Sequence, residues 1–417
     1  MMDFLSKENK NTLIISISRF RGKQHILCNF LQQYSLASLR RRSVIGQPED
    51  ATLDFPALAR VYGYKTQEYN VTTEDGYILK LFNIPGNKNK PVLLMHGLFD
   101  SADTFILRGN KSMAALLAER NYDVWLGYIR GNKYSRRHER LNPDTDKMFW
   151  NFSFHEMGSI DLPTLIDYIL HKNSEKNLTL IGHSQGNALF CVLGSMKPEY
   201  NEKVNIAIAL APACLVNVDH YKFPMSTLIN IAPVLNRWWI DTDQEEIFSE
   251  SSFLVQQIRN RFCTLRMIGY DICAVVIFGQ LGGEDLEEFE PEFFYSLIRH
   301  YPVSSSRKNL EHFRQVVMQR KLAQFDYGSR KNLKLYKSKI PPVYDLSNVT
   351  MKMALFVGKN DKITPWESVE NLKNILPNVI SHRVMEREKY NHIDHIWGRQ
   401  MYKYLFPFII ELLEKYS

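Results

Sequence analysis

The chain has 417 residues, of which 45% are hydrophobic and 23% charged, with a formal net charge of +7. These values are ordinary for a folded protein, and the length suits one α/β core carrying an inserted subdomain. The basic runs at 40–42 and 330–339 come without any nucleic-acid-binding pattern and read as solvated faces, and no apolar stretch reaches the ~20 residues of a bilayer span.

Residues 1–48 are set apart from the fold as a targeting or disordered segment. The apolar run at 11–17 is too short for a signal-peptide core, whereas 19–42 is basic and contains no acidic residue, as in transit segments. From there the chain alternates strand and helix. A β-hairpin is predicted over 68–84, pivoting on Glu74-Asp75-Gly76, and then a buried-type strand at 91–95. A helix over 113–120, a strand at 123–126 and a helix over 160–171 come next. The apolar strand Leu178-Thr179-Leu180-Ile181 and a strand at 204–210 follow. Such alternation implies a mostly parallel sheet.

Between 216 and 345 the alternation gives way to a helical, aromatic-rich pattern that includes Trp238, Phe253, Phe293 and Phe294. Strand signals resume at 353–357 and 382–385, and a C-terminal helix closes the chain. The organisation read from this pattern is an N-terminal segment 1–48, a first core part 49–215, a helical cap 216–345 and a second core part 346–417.

The strand ending at 181 runs into Gly182-His183-Ser184-Gln185-Gly186, and a helical pattern starts at once. This G-x-S-x-G turn suits a nucleophile elbow, in which bulk-free neighbours let a serine stand above the sheet edge. Such a serine needs a carboxylate and a histidine later in the chain. Asp361, just past the strand at 353–357, and His392, in the loop after the last strand, have the right order and placement; His395 is the alternative base. Donors for an oxyanion are the backbone N–H groups of Gln185 and of Leu98 in His96-Gly97-Leu98, with His96 a structural residue of that loop. This chemistry calls for no cofactor and no metal.

Several motifs in chain order carry a resemblance: Glu74-Asp75-Gly76-Tyr77, His96-Gly97-Leu98, Arg130-Gly131-Asn132, Asp161-Leu162-Pro163, Gly182-His183-Ser184-Gln185-Gly186, Phe325-Asp326-Tyr327-Gly328 and Asn391-His392-Ile393-Asp394. Together they resemble the acid lipase family of gastric and lysosomal lipases. The resemblance implies an α/β-hydrolase fold with an inserted helical cap, and hydrolysis of long-chain acylglycerols or steryl esters at an interface or micelle. It also implies a secreted or lysosomal location. It supports Ser184, Asp361 and His392 as the triad, with Leu98 and Gln185 as oxyanion donors. Cys263 and Cys273, the only close pair among five cysteines, fall where the family has a cap disulfide; two buried thiols are the alternative. Phe105, Tyr128-Ile129 and His395 depart from the family pattern, the first two next to the expected site.

A short-chain esterase and a non-catalytic lipid binder on the same fold remain as alternatives. The cap's apolar side chains are expected to line its own core and the roof of the site, with a moving segment within 241–283 hinged near 279–283. Sequons at Asn70, Asn110, Asn151, Asn177 and Asn348 would take glycans in an exported protein; Asn177 abuts a strand and is the weakest.

Overall fold

The computed structural model describes residues 52–417 except 222–224, 258–262, 264–269, 271–272, 275–278, 284 and 286, so the expected segment 1–48 lies outside the described residues. The fold is built on eight strands: β1 (Gln67–Thr72), β2 (Ile78–Ile84), β3 (Asn87–Met95), β4 (Tyr122–Gly127), β5 (Leu178–His183), β6 (Val204–Leu210), β7 (Met353–Val357) and β8 (Val379–Val384). They lie side by side in the order β1-β2-β4-β3-β5-β6-β7-β8. β1 and β2 form the predicted hairpin, with Thr72 opposite Ile78, and β2 runs antiparallel to β4; every other pairing is parallel.

Strands at the centre of this sheet are buried on both faces, which is why β5 and the 91–95 half of β3 read as continuous apolar runs rather than alternating ones. Leu94, Val124, Ile181 and Ile208 point into one core with Leu117 of helix α1 (Met113–Glu119). Leu93, Trp125, Leu180 and Ala207 point into the other, against α2 (Leu162–Asn173) and α3 (Gln185–Met196). The chain leaves β3 for β4 on one side and returns to β5 on the other. That reversal opens a crevice at the carboxyl ends of β3 and β5, where an open α/β sheet binds its ligands.

Between β6 and β7 the chain carries α4 (Met225–Asp241), α5 (Pro291–His300) and α6 (Arg307–Gln319), together with a two-residue antiparallel pairing of Glu246–Ile247 with Ser305–Ser306. Cys263 and Cys273 are joined in a disulfide with Cα atoms 5.5 Å apart, which rules out the two-thiol reading. Among the described residues no helix is long and apolar enough to cross a membrane.

Some expectations need correction. The last strand spans Val379–Val384 rather than 382–385, and the helix expected from 160 begins at Leu162, after a π-helical turn over Met157–Asp161. Nor do the apolar side chains of the insertion all turn inward: Val234 and Trp238 of α4 are 71% and 54% exposed, and Phe253 is 75% exposed. A 17-residue helix with little charge thus shows apolar surface to solvent.

Candidate active site

Ser184 sits between the end of β5 and the first residue of α3, with φ 54° and ψ −115°, a backbone conformation that a non-glycine residue adopts only under strain. The strain is held in place by three backbone bonds. Ser184 N donates to Leu210 O at 3.0 Å, and its carbonyl accepts from Asn187 N and Ala213 N at 3.1 and 3.3 Å. Both flanking glycines are required by close approach: a Cβ on Gly182 would meet Asn187 Oδ1 at 2.5 Å, and one on Gly186 would meet Met95 O at 2.5 Å.

Asp361 follows β7 and is buried in a tight turn. Its Oδ1 accepts from Ile363 N and Thr364 N at 2.9 and 2.7 Å, and its Oδ2 accepts from Thr364 Oγ1 at 2.7 Å and from His392 Nδ1 at 2.9 Å. The carboxylate therefore orients the imidazole of His392 and leaves its Nε2 for other work. The His392 ring lies 4.8 Å from that of His183, the residue before the candidate nucleophile. His183 Nε2 donates to His392 O at 2.9 Å, and His392 N donates to Gly282 O at 3.2 Å.

His395 takes no part in this arrangement. Both of its ring nitrogens are buried without a hydrogen-bond partner among the described residues, burial lowers its pKa to about 3, and its ring packs edge-on to Tyr390. It fills an aromatic position as a neutral ring. The geometry thus separates the two candidate bases: His392 is paired with a carboxylate, whereas His395 is a core residue.

The loop after β3 lies directly against the elbow. Met95 is in register with Gly182, and a Cβ on Gly97 would lie 3.2 Å from Ser184 Cβ. Among the described residues, the amides of Leu98 and Gln185 donate to no backbone carbonyl, as donors awaiting a ligand oxygen would. His96 is structural: it is buried, its Nδ1 donates to Gly97 O at 2.9 Å, and burial lowers its pKa to about 4, so the ring is neutral.

The two departures beside the site are buried supports. Phe105 and Tyr128 belong to the core on the α1 face, and the Tyr128 hydroxyl donates to Asp103 Oδ1 at 2.5 Å; Ile129 packs in the opposite core. They bear on how the Leu98 loop is held. Asp103, itself fully buried, also accepts from Lys133 Nζ and from His300 Nδ1, the latter at 3.0 Å, and the Lys133 ammonium together with these hydrogen bonds holds its carboxyl well below the usual range against the cost of burial. Asp100 is different. Burial raises its pKa to about 8, and its Oδ2 has no partner among the described residues.

Much of the segment 241–283 lies outside the described residues. Its C-terminal end is a short helix, Gly279–Gly282, tied to the loops of the candidate base and carboxylate: Asn391 Nδ2 donates to Gly283 O at 2.9 Å, and Lys362 Nζ, next to Asp361, to Gly279 O at 3.3 Å.

Sequence reasoning missed Thr364, which supplies two of the bonds on Asp361, and Asn309 of α6, whose Nδ2 donates to Gln185 Oε1 at 2.7 Å. An Asp-x-x-Thr turn after a strand would have pointed to the first. The second joins residues 124 apart in the chain and leaves no local signal.

Comparison with known proteins agrees with this fold. Residues 55–109 match a family model described as a partial alpha/beta-hydrolase lipase region, and residues 90–399 match the alpha/beta hydrolase fold. The chain is 37% identical over 382 residues to Lipase 1 of Drosophila melanogaster, covering 90% of this chain and 82% of that one. It is 33% identical over 380 residues to human gastric triacylglycerol lipase, with 89% and 93% covered, and 32% identical over 377 residues to human lipase member K, with 88% and 92% covered. The chain belongs to the acid lipase family of α/β-hydrolases and is a carboxylic ester hydrolase.

Proposed function

We propose that the chain hydrolyses long-chain fatty acid esters, acylglycerols or steryl esters, through an acyl-enzyme on Ser184. His392 Nε2 takes the Ser184 proton as Oγ attacks the ester carbonyl, while Asp361 holds the imidazole from Nδ1 and stabilises it once charged. The amides of Leu98 and Gln185 receive the oxyanion. Collapse expels the alcohol, which takes its proton from His392, and water activated by the same imidazole then releases the fatty acid. The observation that carries this reading is the 2.9 Å contact of His392 Nδ1 with Asp361 Oδ2, made by a ring packed against His183 beside the strained serine.

Residues 216–345 act in this reading as a cap, and part of 241–283 as a mobile cover. The exposed apolar residues of α4 and Phe253 support contact with a lipid phase, since exposed apolar surface gains free energy when covered. Export to an oxidising compartment, in keeping with the acid lipase family, agrees with the Cys263–Cys273 disulfide.

Purified protein assayed on triolein, cholesteryl oleate and tributyrin, the last below and above its solubility limit, tests the substrate class. Turnover of triolein or cholesteryl oleate with a rise in tributyrin rate above the solubility limit is expected. Hydrolysis of tributyrin alone, at a rate indifferent to that limit, would make the protein a short-chain esterase with a rigid cap.

A further inference from the structure

We propose that residues 300–309 of the insertion brace the oxyanion hole from behind, with His300 positioning the Leu98 loop and Asn309 positioning Gln185. The inference rests on the reading of Leu98 and Gln185 as the oxyanion donors, and it gives the insertion a second role besides covering the site.

Asn309 is fully buried in the first turn of α6, where its own amide donates to the N-cap Ser306 Oγ at 3.0 Å. Its side chain has little freedom. Oδ1 accepts from Phe154 N at 2.8 Å, a bond only the oxygen end can make, so Nδ2 must face Gln185 Oε1 at 2.7 Å and Ser305 Oγ at 3.2 Å. The Gln185 side chain is thereby fixed, with Nε2 against Met157 Sδ at 3.6 Å. Gln185 is the first residue of α3, and locking its side chain locks the peptide whose N–H faces the oxyanion.

The other donor is held from the same segment. Phe99, next to Leu98, has φ 56°, a left-handed conformation that costs energy in a bulky residue, and its carbonyl is caught by Val303 N at 2.7 Å. Asn132 Nδ2 holds Asp100 O at 2.8 Å. His300 Nδ1 then donates to Asp103 at 3.0 Å in the short helix that ends the loop, while its Nε2 is buried without a partner among the described residues. That bond ties the insertion to the short helix at the end of the Leu98 loop. Three contacts from 300–309 thus reach both halves of one small site, and a displacement near 1 Å there costs on the order of 100-fold in rate.

Kinetics on His300→Ala and Asn309→Ala read the brace directly. Each is expected to lower kcat about tenfold or more with KM within about twofold, because the lost contact acts in the transition state. Affinity for a trifluoromethyl ketone, whose carbonyl becomes an oxyanion when Ser184 Oγ adds to it, should fall by a similar factor. Adding Asn309→Ala to Gln185→Ala, which keeps the backbone amide, should cost little more.

His300→Asn, which places a donor where Nδ1 stands, is expected to restore kcat; His300→Gln, whose amide falls at the Nε2 position, is not. Equal activity of the Asn and Gln variants would overturn the brace even if both alanine variants unfold. So would alanine variants with unchanged kcat and inhibitor affinity, or a rise in KM alone. If Ser184→Ala retained full activity, the underlying reading of the site would fail instead.

Discussion

The imidazole of His183 donates from Nε2 to the carbonyl oxygen of His392 at 2.9 Å, so the residue preceding the elbow serine carries the loop of the candidate base. Burial keeps the His183 ring neutral by lowering its pKa well below the ordinary value, and the neighbouring His392 acts in the same direction. The elbow and the base loop, brought together from residues 209 apart, share one hydrogen bond.

Replacing His183 by Phe keeps a ring beside His392 but removes this donor. The buried His392 carbonyl loses its partner, which should cost about 1–3 kcal/mol of stability and lower kcat by about tenfold. Urea unfolding and steady-state kinetics on the variant check both numbers; an unchanged kcat would mean that the loop of His392 is held by its other contacts.

Arg130 is buried between two carboxylates, with Nη2 2.6 Å from Asp161 and Nη1 2.6 Å from Asp75, and its guanidinium lies over the Tyr77 ring. Asp161 is fully buried and its pKa is already raised by burial, so Arg130→Ala strands a charge in the core. A loss of about 3–5 kcal/mol is expected. A chemical-denaturation midpoint within error of the parent would show that Asp161 finds another partner.

His395 gives a pH test with a defined sign. Its folded pKa of about 3 lies below the roughly 6.5 of an unfolded histidine, so the unfolded chain binds the extra proton between these values. Above pH 6.5 no proton-linked cost of its burial remains, and stability is lost as the pH falls toward 3. His395→Phe removes that loss, and its stability relative to the parent should be greater at pH 4 than at pH 7 by on the order of 2–3 kcal/mol. Melting curves across this range that stay parallel would contradict the assignment of His395 as a buried neutral ring.

Asn70, Asn110, Asn151 and Asn348 are exposed, whereas Asn177 is half-buried and its side-chain amide donates to Glu202 O. Glycopeptide mapping of protein secreted from eukaryotic cells is expected to find glycan at exposed sequons and none at Asn177. Occupancy at Asn177 would show that this contact forms only after glycan transfer.

The parts of the site legible in the sequence were those written locally. The elbow is a strand and a turn in adjacent residues, and Asp361 and His392 each follow a strand, where the sheet edge must be. Order and placement after the last strand favoured His392 over His395, but His395 stands only three residues on, in the short helix Asp394–Trp397, and the packed core shows which ring meets Asp361. The roles of Asn309 and His300 were hidden for a different reason. Each pairs across more than a hundred residues, from an insertion whose aromatic content reads simply as a cap. Arg130 and Asp161 belong to motifs that carried the resemblance, yet their pairing is a tertiary fact. The apolar face of α4 reads in sequence as core and stands in solvent, since amphipathic spacing shows which residues share a face and not what covers it.

The most direct test of the central claim is the site of phosphorylation by diethyl p-nitrophenyl phosphate, mapped by peptide mass spectrometry. The account predicts one diethylphosphoryl group on Ser184, formed with release of p-nitrophenol, lost in His392→Ala and retained in His395→Phe. An adduct on another serine, or one that survives His392→Ala and disappears with His395→Phe, would contradict it.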